Sequence, residues 1–188
     1  KYFRTTELAK GRDGVAVIEV NGPIFRHANF FTEVSGGTTV ARLAREFSEA
    51  LDSPEVKAIL LNIDSPGGEV TGIAELSQMI FNARGQKPII AYGDGMVASA
   101  AYFIASAADQ IVIDSTAIVG SIGVVATMPD PDGKRMKEIT FVSSGSEKKR
   151  PDIKSPEGAA QIQGLVDDLA EVFIADVARN RGVSKETV

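Results

Sequence analysis

Runs of continuous apolar sequence alternate with stretches of helical period through the first two-thirds of the chain. Gly14–Val20 (GVAVIEV) is apolar and β-branched, which predicts a buried strand broken by Asn21-Gly22-Pro23. From Thr38 onward, Val40, Leu43, Ala44, Phe47, Ala50 and Leu51 recur at spacings of three and four. They predict an amphipathic helix whose start Thr38 or Thr39 can cap. Lys57–Ile63 (KAILLNI) predicts a second buried strand, and Glu69–Arg84 a helix closed by Gly85. Pro88–Tyr92 is a third strand, which Gly93-Asp94-Gly95 turns into a small-residue helix over Ala98–Ala108. Gln110–Ile113, Ile118–Ala126 and Ile139–Val142 predict further short strands. Pro156–Arg181 predicts a long helix with the apolar stripe Ile162, Leu165, Val166, Leu169, Val172, Phe173 and Val177, ended by Gly182. Ser184-Lys185-Glu186 opens one more element.

Short links between buried strands require crossover helices, so the fold class is α/β, with a largely parallel sheet and helices covering its faces. Residues 1–13 are polar without a clear period and read as an N-terminal arm; residues 14–188 read as a single domain whose C-terminus is cut short. Ile24–Gly37 is apolar but irregular and reads either as a packed loop or as one facing a substrate or partner. Met128–Lys137 and Ser143–Lys154 read as polar surface loops. The first residue is Lys1, which suggests a fragment and leaves a signal or membrane anchor upstream open.

Composition narrows the chemistry. The chain has 188 residues, 44% of them hydrophobic and 24% charged, as in ordinary globular proteins. A net charge of −5 argues against a general nucleic-acid binder. Cysteine is absent, which removes disulfides, thiol nucleophiles and zinc–thiolate sites. With one histidine, His27, and no acid cluster at ligand spacing, no metal is expected. No Walker-type loop is present, so no ATP or other cofactor is expected. No apolar run reaches the roughly 18 residues of a membrane helix.

In parallel sheets, ligands gather where strand carboxyl ends turn into helices. Two such junctions stand out. At Asp64-Ser65-Pro66-Gly67-Gly68 two glycines allow a tight turn with uncovered N–H groups, suited to stabilising an oxyanion. A plain strand-to-helix turn has the same spacing. At Gly93–Tyr102 a single serine, Ser99, stands among small residues at a helix start. It reads as a nucleophile or as a helix cap. A serine nucleophile needs a base. His27 is the only imidazole. The other bases are lysines desolvated enough to lose their proton, namely Lys148, Lys149 or Lys154 before the long helix.

DSPGG (64–68), ASAAY (98–102), VGSIGV (119–124) and GSEK (145–148), in this order on one alternating scaffold, resemble the signal peptide peptidase A family of serine peptidases. Together with NGPIF (21–25) and Gly36-Gly37 they resemble in particular its phage branch, the capsid-maturation or prohead proteases. The resemblance runs from about residue 14 to residue 182. It implies a ClpP/crotonase-like fold, a Ser/Lys dyad, a protein or peptide substrate, and assembly into a homo-oligomeric ring. By it, Ser99 is the nucleophile and Lys148, 49 residues later, the general base, with Ser121 helping to hold the lysine. It also implies that the Gly68 and Ala100 N–H groups form the oxyanion hole, with Gly67 in support.

The chain departs from the family pattern twice. Ala100-Ala101 stands where many members have Gly-Gly, which keeps the backbone donor and narrows the pocket. Lys148 is followed by Lys149-Arg150, which helps to depress a lysine pKa and makes Lys149 an alternative base. The implied location is the bacterial host cytoplasm or the phage prohead. Competing readings are a signal-peptide-degrading peptidase, a non-catalytic capsid-assembly scaffold, and an acyl-CoA hydratase-like enzyme, which would need a pair of acids where the nearest glutamates, Glu69 and Glu75, read as lying on one solvated helix.

Overall fold

A computed structural model describes residues 9–10, 14–28, 36–127 and 151–188. Two compact units divide the chain. The first runs to Gly123 and includes Val172–Val188; the second lies within Val124–Glu171.

In the first unit the predicted strands, joined by a short strand from the segment read as an arm, assemble into one sheet. It contains β1 (Ala9–Lys10), β2 (Val15–Asn21), β5 (Ala58–Ser65), β6 (Ile89–Ala98) and β7 (Gln110–Ile113) in that spatial order. A further strand, β8 (Ile118–Gly120), pairs with the far end of β6. All pairings are parallel except β1 with β2. A small parallel pair, β3 (Ile24–Phe25) and β4 (Thr38–Thr39), lies apart from the main sheet. The helices of this unit are α1 (Val40–Asp52), α2 (Ile73–Asn82) and α3 (Ala100–Ser106). A longer helix, α4 (Pro156–Arg181), contributes its C-terminal part. Thr39 caps α1 by accepting the Arg42 N–H.

The apolar runs are less two-sided than they look. In β2 and β5 burial alternates strictly: Ala16, Ile18 and Val20, then Ile59, Leu61 and Ile63, are buried. On that face they meet Leu43 and Phe47 of α1, Leu76 and Ile80 of α2, and Ile104 of α3. The intervening positions are half-buried. Hence the helices bury one face closely, although the apolar runs predict helices on both. Phe103 of α3 stacks on Phe173 of α4 at 4.5 Å, and Val177 joins the same core.

Three predicted boundaries move, each for a physical reason. Helix α2 begins at Ile73 instead of Glu69, because the Glu69 N–H is committed to the Ile24 carbonyl and Gly72 takes a left-handed φ of 89°. Strand β6 continues through Gly93-Asp94-Gly95, where the sequence predicts a turn, because the extra residues are absorbed as a bulge. Strand β8 ends at Gly120, short of the expected Ala126, because Gly120, Ser121 and Gly123 all have positive φ. The expected strand Ile139–Val142 lies outside the described residues.

In the second unit, α4 starts at Pro156 as predicted, and Ser155, which the sequence reading does not single out, caps it. The Ser155 Oγ accepts the Gly158 N–H at 3.0 Å, with proline in the first helical position. At its other end α4 stops before Gly182, whose φ is 66°. Lys185–Thr187 then forms a short 3-10 turn.

Candidate active site

Ser99 stands between the last residue of β6 and the first of α3. Its backbone is at φ 52°, ψ −124°, a conformation that costs a residue with a Cβ on the order of 1–3 kcal/mol. Strain of this kind lifts a side chain out of a sharp strand-to-helix turn. The turn is held at both ends. The Ser99 N–H donates to the Gly120 carbonyl at 2.8 Å, and the Ser99 carbonyl accepts the Phe103 N–H at 2.9 Å. The Ser99 hydroxyl caps nothing, so the helix-cap reading of this serine fails. The far end of α3 is anchored by Arg84, which donates to the carbonyls of Ser106, Ala107 and Ala108. Burial, then the neighbouring Arg181, pushes that guanidinium below its ordinary pKa.

The glycine turn reaches this serine. Gly67 is buried at φ 94°, and a Cβ built on it would stand 2.7 Å from the Ser99 Cβ, 2.8 Å from the Ala98 carbonyl oxygen and 2.9 Å from the Ala100 nitrogen. Only glycine lets the two segments come this close. The next residue, Gly68, forms an isolated parallel bridge with Ile24. There the Ile24 N–H donates to Gly67 and the Ile24 carbonyl accepts from Glu69, so the Gly68 N–H points to the opposite side. Among the described residues neither the Gly68 nor the Ala100 N–H donates a hydrogen bond. As the first N–H of α3, that of Ala100 has no partner within its helix. The structure therefore brings Ser99, Gly67 and Ala100 into one cluster, with the Gly67-Gly68 turn carrying an unused donor.

Other candidates fall elsewhere. His27 is exposed and accepts from the Arg26 guanidinium at 3.1 Å; among the described residues no hydrogen bond joins it to Ser99. Glu69 accepts the Arg26 N–H at 2.8 Å, and Glu75 is exposed on α2. Ser121 is exposed, with φ 55°, directly after the carbonyl that holds Ser99. Lys154 is exposed ahead of α4. Lys148 and Lys149 lie outside the described residues. Among the described residues no three histidine, aspartate or glutamate side chains gather as metal ligands.

Two residues of the DSPGG motif carry roles that the sequence alone does not assign. Asp64 accepts the Met96 N–H, and buried Ser65 bonds both Gly22 and Gly67. The signal for them is a pair of polar residues closing a largely apolar strand.

Comparison with known families decides the affiliation. The model of peptidase family S49 matches residues 82–188, more than half the chain and inclusive of Ser99. The chain belongs to peptidase family S49. The Clp protease model also matches this S49 chain, over residues 27–119. Head-tail preconnector protein GP5 of Enterobacteria phage P21 is 29% identical over 182 residues, covering 94% of this chain and 36% of that protein. Capsid assembly protease C of Escherichia phage lambda is 31% identical over 182 residues, covering 94% of this chain and 42% of that protein. The S49 chain thus spans about two-fifths of the length of these relatives. A solved peptidase from Plasmodium falciparum superposes with a TM-score of 0.51 at 12% identity, covering 91% of this chain and 80% of that one. With the Clp protease match, this gives the S49 chain a ClpP-like α/β fold, as its motifs implied.

Proposed function

We propose that the chain is the catalytic domain of a serine endopeptidase that processes phage capsid or scaffold proteins through a Ser99/Lys148 dyad. The observation that carries this reading is the strained Ser99 at a strand-to-helix turn, its hydroxyl not capping α3, with Gly67 pressed against it and, among the described residues, no acceptor for the Ala100 N–H. A phage capsid protease and a phage head-tail protein among the relatives support the substrate class.

In this mechanism, neutral Lys148 takes the Ser99 hydroxyl proton as the oxygen attacks the scissile carbonyl. The tetrahedral oxyanion rests on the Gly68 and Ala100 N–H groups, each typically worth about 10²–10³ in turnover. The lysine then protonates the leaving amine, and the acyl-enzyme forms. Water, deprotonated by the same lysine, attacks the ester and releases the new carboxyl end. General-base action contributes about 10²–10⁴ in rate. Ser121 orients the lysine, and Lys149 is the alternative base. The Gly68 side facing away from Ile24 offers an edge on which a substrate backbone adds as a strand. Assembly as a homo-oligomer, in the host cytoplasm or the prohead, would dry the lysine. Exposed Leu165 and Val172 on α4 support such association. Among the described residues no helix is long and apolar enough to cross a membrane.

The test is co-expression of the full chain with a scaffold protein from the same phage. Ser99→Ala and Lys148→Ala are expected to leave the scaffold uncut, and His27→Ala to cut it normally. A protease that needs His27 and tolerates loss of both Lys148 and Lys149 would refute the dyad.

A further inference from the structure

The ladder between β5 and β6 is in register at Ile63 with Gly93 and again at Ser65 with Val97. Between those pairs Asp64 alone faces three residues, Asp94, Gly95 and Met96. Two extra residues are thus inserted into β6 directly ahead of Ser99. A bulge bends its strand, raises the local twist and re-aims the side chains that follow. Something must fix its shape, because the inserted residues have lost their ladder partners.

The Asp64 carboxylate does this. Its Oδ1 accepts the Met96 N–H at 2.9 Å, a charge-assisted bond to the last inserted residue. Gly95 leaves the room: a Cβ there would overlap that same carboxylate oxygen. The neighbouring Ser65 holds the opposite wall of the site. Its Oγ accepts the Gly67 N–H at 3.1 Å and donates to the Gly22 carbonyl at 2.7 Å. Two consecutive residues at the end of β5 therefore hold the strand that delivers Ser99 and the glycine turn that meets it. Ser65 is fully buried, whereas Asp64 is exposed and can be changed without hollowing the core.

We propose that Asp64 is a positioning residue for Ser99: by clamping the bulge at 94–96 it sets where β6 presents the serine beneath Gly67. It acts through the Met96 backbone and touches no substrate. The inference rests on the reading of Ser99 as the nucleophile.

The experiment is inactivation of the full-length assembled protein by a fluorophosphonate, resolving the binding constant KI from the reaction constant kinact. A displacement of about 1 Å at a reacting group costs on the order of 10²-fold. Asp64→Ala and Gly95→Ala are each expected to lower kinact about 10²-fold. In both, KI and the melting temperature stay near wild type. Asp64→Asn keeps an acceptor oxygen and is expected to restore most of kinact. A wild type that reacts while Asp64→Ala reacts equally fast overturns the inference alone. So does Asp64→Asn as slow as Asp64→Ala, or a loss matched by the loss of folded protein. A wild type unreactive at Ser99 overturns the nucleophile reading and the inference together.

Discussion

Replacing Gly67 with alanine tests the contact on which the site is built. Two costs follow from the structure. The backbone φ of 94° disfavours any residue with a Cβ, by about 1–2 kcal/mol. The new methyl would also lie 2.7–2.9 Å from the Ser99 Cβ, the Ala98 oxygen and the Ala100 nitrogen, where carbon contacts prefer roughly 3.5–4.0 Å. Overpacking of that kind typically adds about 1–3 kcal/mol. The total, roughly 2–5 kcal/mol, is a large part of a domain's stability but need not unfold it. The damage to chemistry should be greater. The atoms that must yield are those of the proposed nucleophile and of a proposed oxyanion donor, so acylation should fall by at least about 10²-fold in the protein that remains folded. Gly85 provides the control, with a φ of 82° and nothing within 4 Å of where its Cβ would stand. Gly85→Ala should show the backbone cost alone, a drop of about 2–4 °C per kcal/mol, with unchanged acylation. The assay is thermal melting beside timed fluorophosphonate labelling. If Gly67→Ala melts like Gly85→Ala and labels like wild type, the close approach of the two segments is wrong.

Two further substitutions probe the frame around the site. Ser99→Gly relieves the positive φ that Ser99→Ala keeps, at the expense of extra chain entropy. Both should be inactive, yet the glycine variant should melt higher, by roughly 0.5–1 kcal/mol; equal melting would mean that the turn is not strained. Asn180→Ala removes the amide that donates to Ser77 Oγ and Ser106 Oγ, both at 3.0 Å, in a fully buried cluster. It leaves two hydroxyls without that partner and should destabilise by about 2–3 kcal/mol in a denaturant titration, and a loss below about 0.5 kcal/mol would contradict the network.

Much of this architecture is legible in the chain because local signals and tertiary demands agree. The period of Val40–Leu51, the Thr39 cap, the Pro156 start and the Gly182 stop all appear where the sequence predicts them. Failures cluster around the site. Gly93-Asp94-Gly95 has the composition of a turn, but Gly93 pairs with Ile63 and Ile113, and the Asp64 carboxylate, 32 positions away in sequence, bonds the Met96 N–H that follows the segment. Gly68-Glu69 looks like the start of a helix, but the Ile24 backbone captures it as a bridge. Ser99 looks as much like a cap as a nucleophile, and only the missing hydrogen bond from its hydroxyl to α3 removes the first reading. These are places where a long-range partner overrides local preference, which is the expected signature of a functional site.

The most direct measurement is peptide mapping by mass spectrometry after fluorophosphonate treatment of the assembled protein. One adduct is expected, on Ser99, absent in Ser99→Ala and strongly slowed in Lys148→Ala. An adduct on another serine, or full labelling of Ser99 without either Lys148 or Lys149, would contradict the dyad.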